Sequence, residues 1–244
     1  MLQPSRPSVH TPPSLVTRAL RNLMTKLILW FYIKPFRGIH KTTTYSGLRL
    51  QLTDTVFHPS FYFSSRYFAS VLERSVDFSG KRVLDIGCGS GILSLVAARA
   101  GASVVAVDVN PDAVECTRQN AKINLLHDRI TAFQSDLFSS LPPSERFDYI
   151  ITNPPFFVGV PASLADSAWR SPVENPFMRE VASQARHYLK SGGSVYCVFS
   201  SDADFDGLIA LFHDHGYTHS VLASRRFYFE QMYVLQFSCL SPVH

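Results

Sequence analysis

The chain has 244 residues and a mass of 27.4 kDa, is 46% hydrophobic and 17% charged, and holds 19 Phe and 10 Tyr, which excludes global disorder and fits one large domain or a domain with an appendage. Its four cysteines (Cys88, Cys116, Cys197, Cys239) lack CxxC spacing, which excludes a disulfide framework and a cysteine zinc site and points to a reducing, cytoplasmic compartment with no metal. The net charge of +4 is uneven: residues 1–53 carry eight basic residues and no acid, against 15 basic and 19 acidic residues in the remainder. The sequence therefore divides into a basic N-terminal extension, 1–53, and a domain, 54–244.

Within the extension, Met1–Pro13 is rich in Pro and Ser and reads as disordered. Ser14 can cap a helix that runs to Lys34, where Pro35 ends it. Val16, Leu20, Leu23, Leu27 and Phe31 share one face of that helix, with Arg18, Arg21 and Lys26 on the other. Residues 14–37 can accordingly lie on a membrane surface, act as a transit peptide, bind an anionic partner, or pack against the domain behind them. The apolar run Leu27–Ile33 is too short to span a bilayer.

Thr42–Tyr45 and Leu48–Leu52 predict two short strands about a Ser46-Gly47 turn, and Phe61–Glu73 predicts a helix. Strands follow at Arg82–Ile86, Ser103–Asp108, Ile130–Gln134, Tyr149–Thr152 and Ser194–Phe199. Helices fall at Leu93–Arg99, Pro111–Asn124, Pro176–Lys190 and Asp206–His215, and a late pair of strands at Ser220–Ser224 and Tyr228–Phe237. This alternation with short loops implies a doubly wound α/β sheet.

The motifs sit at the strand ends. Gly87, Gly89 and Gly91 alternate directly after the first of these strands, where backbone must turn sharply and approach a ligand closely. The spacing is not GxGxxG, so a dinucleotide pyrophosphate is not the expected ligand. Asp85, at the strand end, suits an amino group better than a phosphate. Asp108 closes the next strand, where an acid can accept hydrogen bonds from both hydroxyls of a ribose, and Asp136, in Ser135-Asp136-Leu137-Phe138, can receive an adenine amino group. Any one of them alone reads as a cap or turn residue. Together they mark three successive strand C-termini, the ligand edge of an open α/β sheet.

The run VLDIGCGSGILSLVAARAGASVVAVDVNPDAVECTRQNAKIN, with the later FDYIITNPPFF, resembles class I S-adenosylmethionine-dependent methyltransferases, across roughly residues 54–240 and most sharply between Val83 and Phe157. The resemblance implies a Rossmann-like, seven-stranded, mostly parallel sheet whose last strand runs antiparallel. It implies that the glycine loop, with Cys88 packed beneath the cofactor, holds the methionine part of S-adenosylmethionine. Asp85 would face the amino group, directly or through water, Asp108 the ribose, and Asp136 with Leu137 the adenine, with Val109 a further cofactor contact. Ser65 would contact the methionine carboxylate. His58 is a weaker acid/base candidate that more often simply packs in a turn.

Asn153-Pro154-Pro155-Phe156 follows the fourth strand. A planar amide or amino nitrogen is a poor nucleophile because its lone pair is delocalised. The Asn153 side-chain carbonyl and the Pro154 backbone carbonyl can accept its two N–H bonds, two prolines stiffen the loop, and Phe156 offers an aromatic face. Asn-Pro-Pro could also be a rigid turn and no more. The tetrad resembles the signature of enzymes that methylate release-factor glutamine, ribosomal guanine or adenine. The release-factor members generally carry a separate helical domain and the guanine members often a duplicated one, whereas about 53 residues precede the core here. The expected acceptor is a protein or nucleic acid, with a small metabolite as an alternative and a cofactor-binding scaffold without turnover as another. Val158–Asn175, with Trp169 and Arg170, is long enough for a substrate lid.

Overall fold

Aliphatic and β-branched runs too short for helices form the strands that centre the structure. The computed structural model describes residues 42–53, 56, 63–155, 157–158, 170–172, 175–201, 203–227 and 230–239. These belong to the unit 41–244, so the helix and membrane contact expected of residues 14–37 lie outside the described residues. Strands β1 (Thr42–Tyr45) and β2 (Leu48–Gln51) form a hairpin, followed by helix α1 (Phe63–Ser75). Then come β3 (Arg82–Ile86), α2 (Ile92–Arg99), β4 (Ser103–Asp108), α3 (Pro111–Ile123), β5 (Ile130–Gln134) and β6 (Phe147–Thr152). A two-residue parallel pair, β7 (Phe157–Val158) and β8 (Arg170–Ser171), precedes α4 (Pro176–Tyr188), β9 (Leu189–Ser200), α5 (Phe205–Asp214), β10 (Tyr217–Phe227) and β11 (Glu230–Cys239).

Seven strands make one sheet in the order β10-β11-β9-β6-β3-β4-β5. β11 is antiparallel to both its neighbours and the central pairings are parallel, which is the sheet expected from the sequence. From β3 the chain moves outward to β4 and β5, then returns to the other side of β3 with β6. That reversal opens a crevice beyond the strand C-termini, between β3 and β6. Both sheet faces are covered. Val83, Val104, Ile151 and Tyr196 pack on one side with Phe68 and Leu72 of α1, Leu95 of α2 and Val114 of α3. Leu84, Val107, Ile150 and Val195 pack on the other with Met178 and Val181 of α4 and Phe212 of α5.

The hairpin joins the first of these cores through Tyr45, Leu48, Leu50 and Leu52. Its outer edge is paired by side chains. Asn124 accepts from the Arg49 N–H at 2.8 Å and donates to the Arg49 carbonyl at 2.7 Å. One helical turn earlier, Asn120 accepts from the Gln51 N–H at 2.7 Å and donates to the Gln51 carbonyl at 2.9 Å. Residues four apart on a helix thus match residues two apart on a strand, and two carboxamides stand in for a third strand. Asn120 Nδ2 also donates to the Ser90 carbonyl at 2.9 Å, linking the hairpin to the glycine loop.

The starts of α3 and α4, at Pro111 and Pro176 as expected, are set by side chains. Asn110 caps α3 by accepting from the Asp112 N–H, and Asn175 caps α4 by accepting from the Met178 N–H. β9 begins at Leu189 rather than Ser194, because Leu189 already pairs with Phe147; the register then shifts before Ser194 pairs with Tyr149, and at Gly193, where a Cβ would stand 2.9 Å from the Asp148 carbonyl, only glycine can pass. β10 is an 11-residue strand with an irregularity between Val221 and Ala223, longer than the Ser220–Ser224 run predicted for it.

Asn120 is fully buried, so Asn120→Ala should lower unfolding free energy by about 2–4 kcal/mol, whereas the half-buried Asn124→Ala should cost about 1 kcal/mol or less. Urea denaturation of both variants checks this; equal costs would mean that the two amides do not differ as described.

Candidate active site

The chain leaves β3 at Ile86 and turns through Gly87-Cys88-Gly89-Ser90-Gly91 into α2. The Gly87 and Cys88 N–H groups both donate to the Val107 carbonyl, at 2.8 and 3.1 Å, so the loop is hung from the end of β4. All three glycines have positive φ, at 72°, 54° and 77°. At Gly91 a Cβ would also meet the Thr117 hydroxyl oxygen at 2.9 Å, which makes glycine obligatory there. At Gly87 and Gly89 the position of a Cβ faces open space, leaving bare backbone along the crevice. The Cys88 thiol is buried beneath the loop, accepts from the Thr117 hydroxyl at 3.3 Å, and is pushed up in pKa by burial and then by Asp108 and Asp85; it is inert as a nucleophile at neutral pH.

Asp85 is wholly buried. One oxygen, Oδ2, accepts from the Ser94 hydroxyl at 2.5 Å, while Oδ1 has no hydrogen-bond partner among the described residues. Burial raises its pKa to about 7 against the lowering effect of the Ser94 hydroxyl and backbone N–H, with Asp108 adding a further push upward. A cationic group at Oδ1 would meet an acceptor that lacks its counter-charge.

Asp108 is half-buried and tied at both oxygens: Oδ2 accepts from the Gly89 N–H at 3.0 Å and Oδ1 from the Asn110 N–H at 2.9 Å. Burial raises its pKa and those two bonds oppose the rise. Each oxygen keeps a lone pair, so the carboxylate can hold the loop and accept from hydroxyls together. Val109 beside it is 43% exposed, a large apolar side chain on the crevice rim. Beyond β5, Asp136 is exposed and Leu137 takes φ 49°, a conformation that costs a leucine about 1–3 kcal/mol. Ser135 holds that turn, donating to the Leu137 carbonyl at 2.9 Å and accepting from the Ser140 N–H at 3.0 Å.

β6 is stapled to β3 by the Thr152 hydroxyl, which donates to the Ile86 carbonyl at 2.9 Å. Asn153 follows at once. Its Nδ2 donates to the Ser65 hydroxyl at 2.8 Å and lies 3.5 Å from the Ser64 hydroxyl, while Oδ1 is buried with no partner among the described residues. Pro154 is buried and Pro155 half-buried.

The crevice thus gathers Asp85, the glycine loop, Asp108 and Val109 with Ser65 and Asn153, and Asp136 and Leu137 lie beyond the neighbouring β5. Phe156, His58, Trp169 and the Arg170 side chain lie outside the described residues. The sequence did not reveal Ser64, Ser94, Thr117, Asn120 or Ser135. Each acts through polar contacts to side chains or backbone that no sequence motif announces, and only Ser135, in a Ser-Asp turn after a strand, has a local signal. No group of three or more His, Cys, Asp or Glu among the described residues could hold a metal ion, and no helix among them is long and apolar enough to cross a membrane.

The family model for the methyltransferase small domain matches residues 54–228. A candidate protein N5-glutamine methyltransferase of Methanocaldococcus jannaschii is 30% identical over 195 residues, covering 78% of this chain and 94% of the relative. The ribosomal RNA small subunit methyltransferase C of Haemophilus influenzae is 32% identical over 130 residues, covering 52% of this chain and 35% of the relative. Among solved structures, a T. thermophilus 16S rRNA N2 methyltransferase in complex with AdoMet and guanosine matches with a TM-score of 0.60 and 25% identity, over 82% of this chain and 50% of that one. The chain spans nearly all of the first relative and half or less of the other two.

A carboxyl whose folded pKa lies above its unfolded value contributes stability that is fully present below the unfolded value, here 3.8, and is lost as pH rises through about 7. The unfolding free energy of the ligand-free protein should therefore fall across that window, and Asp85→Asn should flatten the fall and stabilise the protein at pH 8. Urea titrations at several pH values test this; identical slopes for the two proteins would refute the burial-driven shift.

Proposed function

The chain belongs to the methyltransferase small-domain family, and from that premise we propose that it moves a methyl group from S-adenosylmethionine to a planar amide or amino nitrogen of a protein or nucleic acid. The observation that carries the proposal is Asn153: its carbonyl oxygen is buried at the end of β6 with no partner among the described residues, on the strand beside Asp85, one of whose oxygens likewise has none. A cationic amino group and an N–H donor are the two ligand features that would complete this site.

Bound S-adenosylmethionine supplies a methyl group already activated by the sulfonium charge, so the work left to the protein is positioning. Asp85 Oδ1 would take the amino group. The open backbone at Gly87 and Gly89, with Cys88 beneath and Gly91 fixing the entry to α2, would receive the methionine portion. Asp108 would accept from the ribose hydroxyls, Val109 and Leu137 would flank the adenine, and Asp136 would receive its amino group. Asn153 Oδ1 and the Pro154 carbonyl would accept the two N–H bonds of the acceptor, holding its nitrogen in line for attack, with Pro155 stiffening the loop and Phe156 stacking on the acceptor plane. A protein amide is the favoured acceptor, because the relative named for glutamine methylation is matched over 94% of its length. A nucleobase amino group is the second reading, supported by the neighbour solved with guanosine. A cytoplasmic setting fits either.

Methyl-labelled S-adenosylmethionine and cell lysate, with the products then treated with protease or with nuclease, distinguish the two acceptors. Asn153→Ala should keep cofactor affinity within about twofold and lower methyl transfer by about 100-fold or more. Loss of both together would remove Asn153 from the acceptor role. Asp108→Ala should weaken cofactor binding by about 10-fold or more, through lost ribose contacts and a loosened Gly89; calorimetric titration reads it directly.

A further inference from the structure

On the nucleobase reading of the acceptor given above, we propose that the strip shared by α1 and β10, beside Asn153, holds the single strand of RNA that carries the acceptor base. Phe63 would stack on a neighbouring base, and Arg225 and Arg74 would meet the phosphates that follow.

Phe63 is the one phenylalanine, tyrosine or tryptophan among the described residues that is exposed, at 51%. It stands two residues before Ser65, whose hydroxyl meets the Asn153 amide at 2.8 Å, so the open ring adjoins the place assigned to the acceptor. Its ring stacks on Phe227 with centroids 5.5 Å apart, Tyr67 meets Phe227 edge-on at the same distance, and the Arg225 guanidinium lies over Phe227, 5.0 Å from its centroid. A stacked guanidinium is held in orientation while its N–H edge stays open to an anion. Strand register puts this cluster at the ligand edge of the sheet. Arg225 pairs with Met232, and Met232 with Ser200 at the C-terminal end of β9, so Phe227 projects past that end.

The strip continues away from Asn153. Phe63, Tyr67, Ser70 and Arg74 follow one another at helical spacing along α1, and Ala223, Arg225 and Phe227 alternate on the face of β10 that packs on the first core. Burial raises the Tyr67 pKa, and the Arg225 and Arg74 charges oppose the rise, so both guanidinium groups flank this helix face. Neither forms an ion pair among the described residues; Arg74 reaches only the Ser70 hydroxyl, at 3.4 Å. β10 has no acid, Glu73 of α1 is bound to Arg99 and Tyr45, and Glu230 of β11 is bound to Ser200. Uncompensated positive charge beside open aromatic surface matches a strand that presents a phosphate and a π face at every residue, whatever its sequence, and a polypeptide does neither. A duplex keeps its bases stacked on one another, whereas the unpaired loops of folded RNA expose theirs. Residues 1–53, with eight basic residues and no acid, share the preference for a polyanion.

The test is fluorescence anisotropy of a labelled, mixed-sequence RNA single strand of about 12 nucleotides, titrated with the full chain between about 50 and 200 mM salt. Phe63→Ala should weaken binding by about 10-fold and lower the methyl label entering lysate RNA by a similar factor. Arg225→Gln and Arg74→Gln should each reduce the slope of log affinity against log salt by about 0.7. Arg146→Gln, just before the opposite end of β6, should leave affinity within about twofold. S-adenosylmethionine affinity within about twofold of wild type shows that each variant is folded. Equal binding of duplex RNA, or unchanged affinity and salt slope in the α1 and β10 variants, would overturn the proposal. So would methyl label found only in protein, which would give the strip to a polypeptide. Asn153→Ala should bind the strand as wild type does while losing transfer. Undiminished transfer by that variant would remove Asn153 from the acceptor role, a failure read in a different protein and a different signal.

Discussion

The carboxylate of Asp108 holds two backbone N–H groups, from Gly89 and from Asn110, and the geometry of the crevice depends on that double grip. Gly89 lies at the centre of the loop leaving β3, and Asn110 is the cap of α3. One side chain at the end of β4 therefore sets the distance between the loop on one strand and the helix that follows the next. The Val107 carbonyl adds two further bonds to the same loop. A loop rich in positive-φ glycine has little conformational preference of its own, and these few bonds convert it into a fixed wall.

Charge is arranged against its usual tendency. Asp85 is wholly buried, given one hydrogen-bonding partner residue among the described residues, Ser94, and left beside a second carboxylate. In the free protein such an arrangement costs stability as pH rises through about 7; it creates an acceptor whose energy improves when positive charge arrives. A cation against Oδ1 would draw the carboxyl into its ionised form, so binding near neutral pH would release a proton. Asn153 repeats the pattern in neutral form, with its NH2 end satisfied and its oxygen without a partner among the described residues. Both residues sit at neighbouring strand ends, Asp85 on β3 and Asn153 just past β6, because the order of the sheet reverses there.

Much of this was legible in the sequence, for a physical reason. β3, β4 and β5 lie in the parallel half of the sheet and carry short apolar runs with Asp, Gly or polar residues at their ends, so composition alone places them to the residue. The glycines and aspartates at their C-termini followed directly. β9 and β10 were harder: Lys190-Ser191-Gly192-Gly193 has the composition of a turn, and most of β10 is exposed on both faces, so no alternation marks it. The hairpin was legible too, while its seat on α3 was not, since that rests on two asparagines about 70 residues away in sequence. Ser65 shows the same limit. Its position suggested a contact to a cofactor carboxylate, and the structure places its hydroxyl against an amide 88 residues further on.

The pairing of Asn120 and Asn124 with β2 makes the hairpin sensitive to a change of one atom group. Spontaneous hydrolysis of an asparagine side chain replaces NH2 with oxygen, conserving size and shape. At either position that change would set a negative oxygen against the backbone carbonyl of Gln51 or Arg49, turning attraction into repulsion along the strand edge. At position 120 it would also cut the link to Ser90 in the glycine loop. Ageing of the polypeptide in the second half of α3 would thus be felt at the crevice, and exposure of the β2 edge would open a surface on which a second chain could pair.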